Sequence, residues 1–258
     1  MTVAADFPIW PGRFAGRVAL VTGAANGIGA GCARRLAAEG ASLAIIDRDP
    51  AIRTRFDEVA GAGLIAQAGD CTDADTLAAF VALVRDRFGE PDILVNNVGR
   101  SARERGSRFA ESEEAVWRDV LEVSLLTTMR VTRHVAPAMQ ARGSGRIVNI
   151  TSDAAFVGDA GLADYAAAKM GLVGFTRVVA RELAAYGVTV NAVGPGAVRT
   201  LAQATMPPEV TERVRAATPA GFIAEPEDVA GLVAYLASAE ARFITGQTIL
   251  IDGGRWMI

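Results

Sequence analysis

Tyr165 and Lys169 stand four residues apart in the run YAAAK. Lys169 is the only lysine in a chain whose lysines and arginines together number 26. Every other basic side chain is arginine, so the single ammonium falls one helical turn from a phenol, on the same helix face. That pairing suits a proton transfer coupled to a redox step. Oxidising a secondary alcohol needs a base for the hydroxyl proton, and reducing the ketone needs the matching acid. A free phenol has a pKa of about 10, and bringing it towards neutrality takes about 3 units, or roughly 4 kcal/mol of preference for the phenolate. A neighbouring ammonium contributes to that preference. As an isolated pattern the pair also describes an ordinary exposed helix face, so the elements around it decide.

The first of those elements is a glycine-rich turn. TGAANGIGAGCARRLAAEG places Gly23, Gly27 and Gly29 between a strand and a helix that stops at Gly40. Glycines there let the backbone turn tightly and approach a pyrophosphate, whose charge then meets the free amides of the helix amino terminus. Alone the run also fits a tight turn. It gains specificity because it follows a strand, opens a helix and is followed about 20 residues later by Asp47 at the end of LAIID. Asp47 would accept hydrogen bonds from the adenosine ribose and repel a 2'-phosphate, which selects NAD over NADP. DRDP also fits a turn-forming aspartate, and Arg48 pulls towards NADP. With a dinucleotide in place, lysine differs from arginine usefully: a compact charge with rotatable donors can face the phenol and the nicotinamide ribose hydroxyls at once.

Seven short apolar runs alternate with amphipathic segments: RVALVT, SLAIID, LIAQAG, DILVNN, GRIVNI, VTVNAV and QTILID. This rhythm predicts an α/β fold, a Rossmann-like doubly wound parallel sheet of about seven strands with helices on both faces. Two long helices are expected at about 113 to 140 and 162 to 186. Long connections at about 97 to 112 and 195 to 224 follow the carboxyl ends of strands, where such sheets hold ligands. Ser152 follows GRIVNI at the same end, where its hydroxyl can donate to charge developing on a substrate oxygen; it also suits a helix or turn cap. No biased linker divides residues 17–258. Residues 1–16, rich in Pro and Gly with Phe7 and Trp10, read as an irregular arm packed on the domain or on a partner subunit.

Composition narrows the function classes. At 258 residues with 51% hydrophobic content the chain can bury a large core, and a formal net charge of -3 with scattered arginines gives no footprint for nucleic acid. Cys32 and Cys71 are far apart and His134 is the sole histidine, so a His/Cys metal site is not expected and both thiols read as reduced in a cytoplasm. His134 reads as a packed helix residue. No leader pattern and no apolar run of membrane-spanning length is present.

Taken together, TGAANGIG, GDCTD, NNVG at 96–99, Ser152 thirteen residues before Tyr165, YAAAK, NAVGPGAVRT and ITGQTILIDGG resemble the short-chain dehydrogenase/reductase family over nearly the whole chain. The resemblance implies Tyr165 as general acid/base, Lys169 as ribose anchor and pKa modifier, and Ser152 as donor to the substrate oxygen. It implies cofactor contacts from Gly23, Asn26, Gly27, Ile28, Gly29, Asp47 and Arg48, with Asp70 and Cys71 at the adenine. Asn97 and Gly99 would line the cofactor, and Pro195, Gly196, Val198 and Thr200 would hold the nicotinamide end. It also implies a homotetramer or dimer, with the two long helices and the apolar tail GGRWMI supplying contacts.

Two positions depart from the family pattern. Ser124 stands where family members usually carry an asparagine of a proton relay, so altered relay geometry is expected, with Ser124→Asn changing the pH profile of turnover and not NAD affinity. Ser124 also fits a small core residue. Val98 replaces the usual alanine and is expected to narrow the cofactor channel. The substrate reads as a secondary alcohol or ketone, cyclic or hydroxyacyl: SDAAFVGDAGLADY resembles relatives acting on hydroxyacyl thioesters and cyclic acids, and NNVG with the serine those acting on carboxylated cyclohexadiene diols. Arg100, Arg103, Arg105 and Arg108 could attract a carboxylate or form a solvated loop with Glu104 as internal partner. A lid at about 197–224 offers Met206 and Phe222. An NADPH-dependent ketone reductase is the alternative enzyme, and an NAD-binding sensor or scaffold the alternative outside catalysis.

Overall fold

The computed structural model describes residues 7–105, 108–204 and 207–257. Met206 of the expected lid, the first six residues of the arm and Ile258 of the tail lie outside them. In chain order the main elements are β1 (Val18–Thr22), α1 (Gly27–Ala38), β2 (Ser42–Asp47), β3 (Leu64–Ala68), α2 (Ala74–Phe88), β4 (Ile93–Asn96) and α3 (Glu114–Leu121). They continue with α4 (Thr127–Arg142), β5 (Gly145–Ile150), α5 (Ala154–Val157), α6 (Ala163–Leu183), β6 (Val188–Pro195), α7 (Leu201–Ala204), α8 (Pro208–Ala216), α9 (Pro226–Ala237) and β7 (Thr248–Ile251).

Every run expected to be a strand is one. All strand pairs are parallel, in the order β3-β2-β1-β4-β5-β6-β7. The order reverses between β1 and β4, and in an open α/β sheet the ligand crevice lies outside the carboxyl ends at such a reversal. Alternate strand residues feed two separate cores, as the period of two demands. Val21, Ile45 and Val95 pack with Leu36 of α1 and Val233 of α9 on one face, whereas Leu20, Ile46 and Leu94 pack with Phe80 of α2, Val135 of α4 and Leu183 of α6 on the other.

Three connections differ from the sequence expectation. Between β2 and β3 the chain makes two short 3-10 turns, Pro50–Arg53 and Asp57–Ala62, in place of a crossover α-helix. Pro50 opens the first turn and Gly63, with φ of 84°, follows the second, the places where these residues bound helical segments. The expected long helix at 113–140 is α3 and α4 joined through a π-helical segment, Glu122–Leu126. The connection after β6 is no bare loop, since α7 and α8 occupy much of it.

The described part of the arm docks on the body. Phe14 is buried in the α1 core, while the Trp10 amide donates to Glu39 at 3.2 Å and Arg13 and Arg35 pair with the same buried carboxylate at 2.8 and 2.5 Å. Two guanidiniums and an amide thus balance one carboxylate removed from water, which a buried charge requires.

Candidate active site

The glycine turn is shaped by close approach. Gly23 adopts φ of 66°, in the left-handed region, and a Cβ on Gly29 would lie 2.2 Å from the Gly23 carbonyl oxygen. Behind it the Asn97 side chain donates to the Thr22 and Gly23 carbonyls at 3.2 and 2.8 Å, tying β4 to the loop after β1. Asn26 begins α1 in extended conformation without a side-chain cap, and the first turn holds no acid. The amides there remain available to an anion, as a pyrophosphate site requires.

Asp47 ends β2 with its carboxylate oriented by the backbone. Oδ2 accepts the Ala25 amide at 3.0 Å and Oδ1 the Asp49 amide at 2.9 Å. The turn role does not take Asp47 out of the crevice, which it lines beside exposed Arg48. Asp70 holds its own turn through the Thr72 amide and hydroxyl, both at 2.8 Å. Burial pushes the neighbouring Cys71 thiol up to about 12, so it presents a neutral wall.

At the other end of the crevice, Lys169 is 2% exposed on α6, and its Nζ donates to the Ile150 carbonyl at 2.8 Å and lies 5.7 Å from the centre of the Tyr165 ring. The Thr151 hydroxyl donates to the Lys169 carbonyl at 2.7 Å, which fixes α6 against the end of β5. Burial depresses the Lys169 pKa to about 8, so the amine is mostly an ammonium at neutral pH. A Cβ on Gly99 would stand 2.8 Å from Nζ, so only glycine leaves the cation uncovered. The Ser152 hydroxyl accepts the Ala154 amide at 3.2 Å, the turn-capping contact, and donates to Asp153 at 3.3 Å.

One crevice of about 680 Å3 joins these groups. Gly23, Asn26, Gly27, Ile28, Asp47, Arg48, Asp70, Cys71, Asn97, Gly99, Ser152, Tyr165, Lys169, Pro195, Gly196 and Thr200 all line it. Three expected residues stand behind its wall. Gly29 packs on Gly23, Val198 is buried and bridges to Ala224, and Ser124 is wholly buried in the π segment. The Ser124 hydroxyl donates to the Arg100 carbonyl and accepts its amide, both at 3.1 Å. Val98 lines the crevice, and its side chain would lie 3.2 Å from a Cβ on Gly23.

Sequence reasoning missed Asp119 and Glu122. Asp119 on α3, not Glu104, pairs with Arg100 and, at 3.5 Å, with Arg105. Glu104 and Arg105 are consecutive, so their side chains diverge; the run of arginines was the signal that a carboxylate from another element was needed. Glu122 pairs with Arg130. Ala102, also on the wall, holds φ of 46°, unusual for a residue with a side chain.

The crevice can therefore seat an elongated anionic molecule whose phosphates meet α1 and whose far end meets a phenol, an ammonium and a hydroxyl. Residues 23–255 match the family model described as Enoyl-(Acyl carrier protein) reductase. The 3-oxoacyl-[acyl-carrier-protein] reductase FabG of Vibrio cholerae is 38% identical, covering 94% of this chain and 98% of the relative. The cis-4-hydroxycyclohexanecarboxylate dehydrogenase of Sinomonas cyclohexanicum is 41% identical, covering 93% and 97%. A crystal structure of 3-oxoacyl-[acyl-carrier protein] reductase from Brucella melitensis superposes with a TM-score of 0.92 at 32% identity, covering 100% of this chain and 99% of that one.

Proposed function

The chain belongs to the short-chain dehydrogenase/reductase family of oxidoreductases acting on CH-OH groups, and from that premise we propose that it transfers hydride between NAD and a secondary alcohol on a ring or in an acyl chain. One observation carries the reading: a buried ammonium, Lys169, lies beside the Tyr165 ring in the crevice that also holds the uncapped start of α1. The residues present fit a dinucleotide: the start of α1 carries uncapped amides for its phosphates, and at Gly99, where a Cβ would stand against Lys169 Nζ, glycine leaves the ammonium open to the crevice. When bound, the nicotinamide accepts or supplies the hydride.

The chain's own groups do the rest. Lys169 holds positive charge near the phenol, favouring phenolate, so Tyr165 can take the alcohol proton or return it to the ketone oxygen. Ser152 donates to that oxygen as charge develops on it. Asp47, its carboxylate fixed by two amides, accepts from the adenosine ribose and disfavours a 2'-phosphate. Similarity to the cyclic-acid dehydrogenase of Sinomonas supports a carboxylated ring as substrate, and similarity to the acyl reductases supports a 3-hydroxyacyl thioester. Arg48 at the crevice edge favours the second reading, an NADPH-dependent ketone reductase.

Residues 17–258 would act as one catalytic unit under a lid at about 197–224. A homotetramer in the cytoplasm completes the proposal. It is supported by exposed Met129 on α4 and Met170 and Val178 on α6, while among the described residues no helix is long and apolar enough to cross a membrane. The test is reduction of NAD and of NADP over a panel of cyclic hydroxy acids, hydroxyacyl thioesters and polyols, with Tyr165→Phe as control. Turnover with at least one class, lowered about 100-fold or more by Tyr165→Phe while NADH still binds, is expected. A variant as fast as the wild type would overturn the assignment.

A further inference from the structure

The turn after β7 carries an arginine whose guanidinium reaches the loop bearing Ser152. Asp252 builds that turn, its carboxylate accepting the Gly254 amide at 3.0 Å and the Trp256 amide at 2.7 Å. Arg255 Nη1 donates to Asp153 Oδ2 at 2.8 Å, and Nη2 donates to both oxygens of Asp159, at 3.2 and 3.1 Å. Asp153 is 4% exposed, directly follows Ser152 and anchors its own amide on the Pro195 carbonyl at 2.9 Å. Its second oxygen, Oδ1, accepts the Ser152 hydroxyl at 3.3 Å. Strong hydroxyl-to-carboxylate bonds are about 2.5–2.7 Å, so the Ser152 proton is loosely held although a carboxylate stands beside it.

We propose that Arg255 is a positioning residue: by occupying the Asp153 carboxylate it keeps the Ser152 hydroxyl free for the substrate oxygen. This deepens the dehydrogenase reading and rests on it. A buried carboxylate must be satisfied by donors or charge. With Arg255 removed, Ser152 is the side-chain donor already in contact with this carboxylate, and a hydroxyl turned firmly onto Asp153 is turned away from the substrate. The same guanidinium ties Asp153 to Asp159 and so braces the segment that runs from Ser152 towards Tyr165. Burial raises the Asp153 pKa most, Arg255 and the Ser152 hydrogen bond lower it, and Asp159 raises it; Lys169, whose pKa burial lowers, lines the same crevice.

The experiment compares Arg255→Ala, Asp153→Ala and the double variant in ketone reduction, with NADH binding followed by fluorescence. Arg255→Ala should lose turnover by about tenfold to a hundredfold, approaching the loss of one donor to a developing oxyanion, with NADH affinity unchanged. The double variant should recover most of that loss, since the capturing carboxylate is gone, and Arg255→Lys should lie between. The ratio of Arg255→Ala to wild-type turnover should climb as pH falls and Asp153 protonates. A double variant no faster than Arg255→Ala, or an Arg255→Ala protein as fast as wild type, overturns the proposal. A readout without turnover separates it from the functional reading: in a 13C carboxyl titration, Ser152→Ala should raise the Asp153 pKa more in the Arg255→Ala background than in the wild type. Equal effects overturn the positioning role; unequal effects in a protein that turns over no alcohol or ketone mean that the dehydrogenase reading alone has failed.

Discussion

Lys169 carries its charge against the preference of its surroundings. Burial lowers its pKa from 10.5 to about 8, about 2.5 units, which at 1.36 kcal/mol per unit corresponds to about 3 kcal/mol of folding stability forgone at neutral pH. The sign follows from proton counts. Between pH 8 and 10.5 the unfolded chain holds the lysine proton and the folded chain does not, so stability from this group rises with pH through that window and is level below it. Lys169→Met should therefore abolish turnover, while urea unfolding of the two proteins shows wild type gaining about 3 kcal/mol on the variant between those pH values. At pH 7 the variant's gain is reduced by the Ile150 carbonyl, left without the Nζ donor. A stability difference that does not change with pH would mean that the folded protein holds this proton as firmly as the unfolded chain does, so that burial does not depress the Lys169 pKa. The residue was conspicuous in the sequence because no other lysine competes for attention; Asp119 and Arg255 were not, because their partners lie 19 and 102 residues away.

At the scale of elements, the strands were readable because a buried parallel strand is apolar on both faces and short, and each run carried both marks. The π segment was not. It widens the helix by one residue per turn without interrupting the apolar pattern, so 113–140 reads as one helix. Its effect is to bring Ser124 under the Arg100 backbone, where one hydroxyl serves both an amide and a carbonyl, and π turns commonly mark functional positions. Ser124→Ala leaves both backbone groups without that partner and should cost about 1–3 kcal/mol in urea unfolding. Because Arg100 lines the crevice, KM for the alcohol should rise more than kcat falls, with NAD affinity intact. A shifted pH profile of turnover would instead put the hydroxyl in a proton relay. The connection after β6 was legible in length and not in content, since α7 spans four residues and α8 nine, too short for a periodic signal to stand out.

For the whole molecule, sheet order sets the two proposed chemistries along one crevice: anion binding after β1 and β2, and proton transfer after β5 on α6. The alternation of strands and helices made that arrangement readable before any coordinates, whereas the docking of the arm on Glu39 depends on side chains meeting in space and left no periodic trace. Since the dinucleotide would touch strands from both halves of the sheet, its binding should stabilise the fold as a unit. A ligand at 100 times its Kd adds about 2.7 kcal/mol, which for a chain of this size raises Tm by roughly 5–10 °C. On the proposed reading NAD should give that shift in differential scanning fluorimetry and NADP at equal concentration a smaller one, because the Asp47 carboxylate, held by the Ala25 and Asp49 amides, would repel a 2'-phosphate. Asp47→Ala should lower the NAD shift, through lost ribose contact and a loosened Ala25 amide, and narrow or invert the ranking. A wild-type protein stabilised more by NADP than by NAD would mean that Arg48, and not Asp47, governs which dinucleotide the crevice takes.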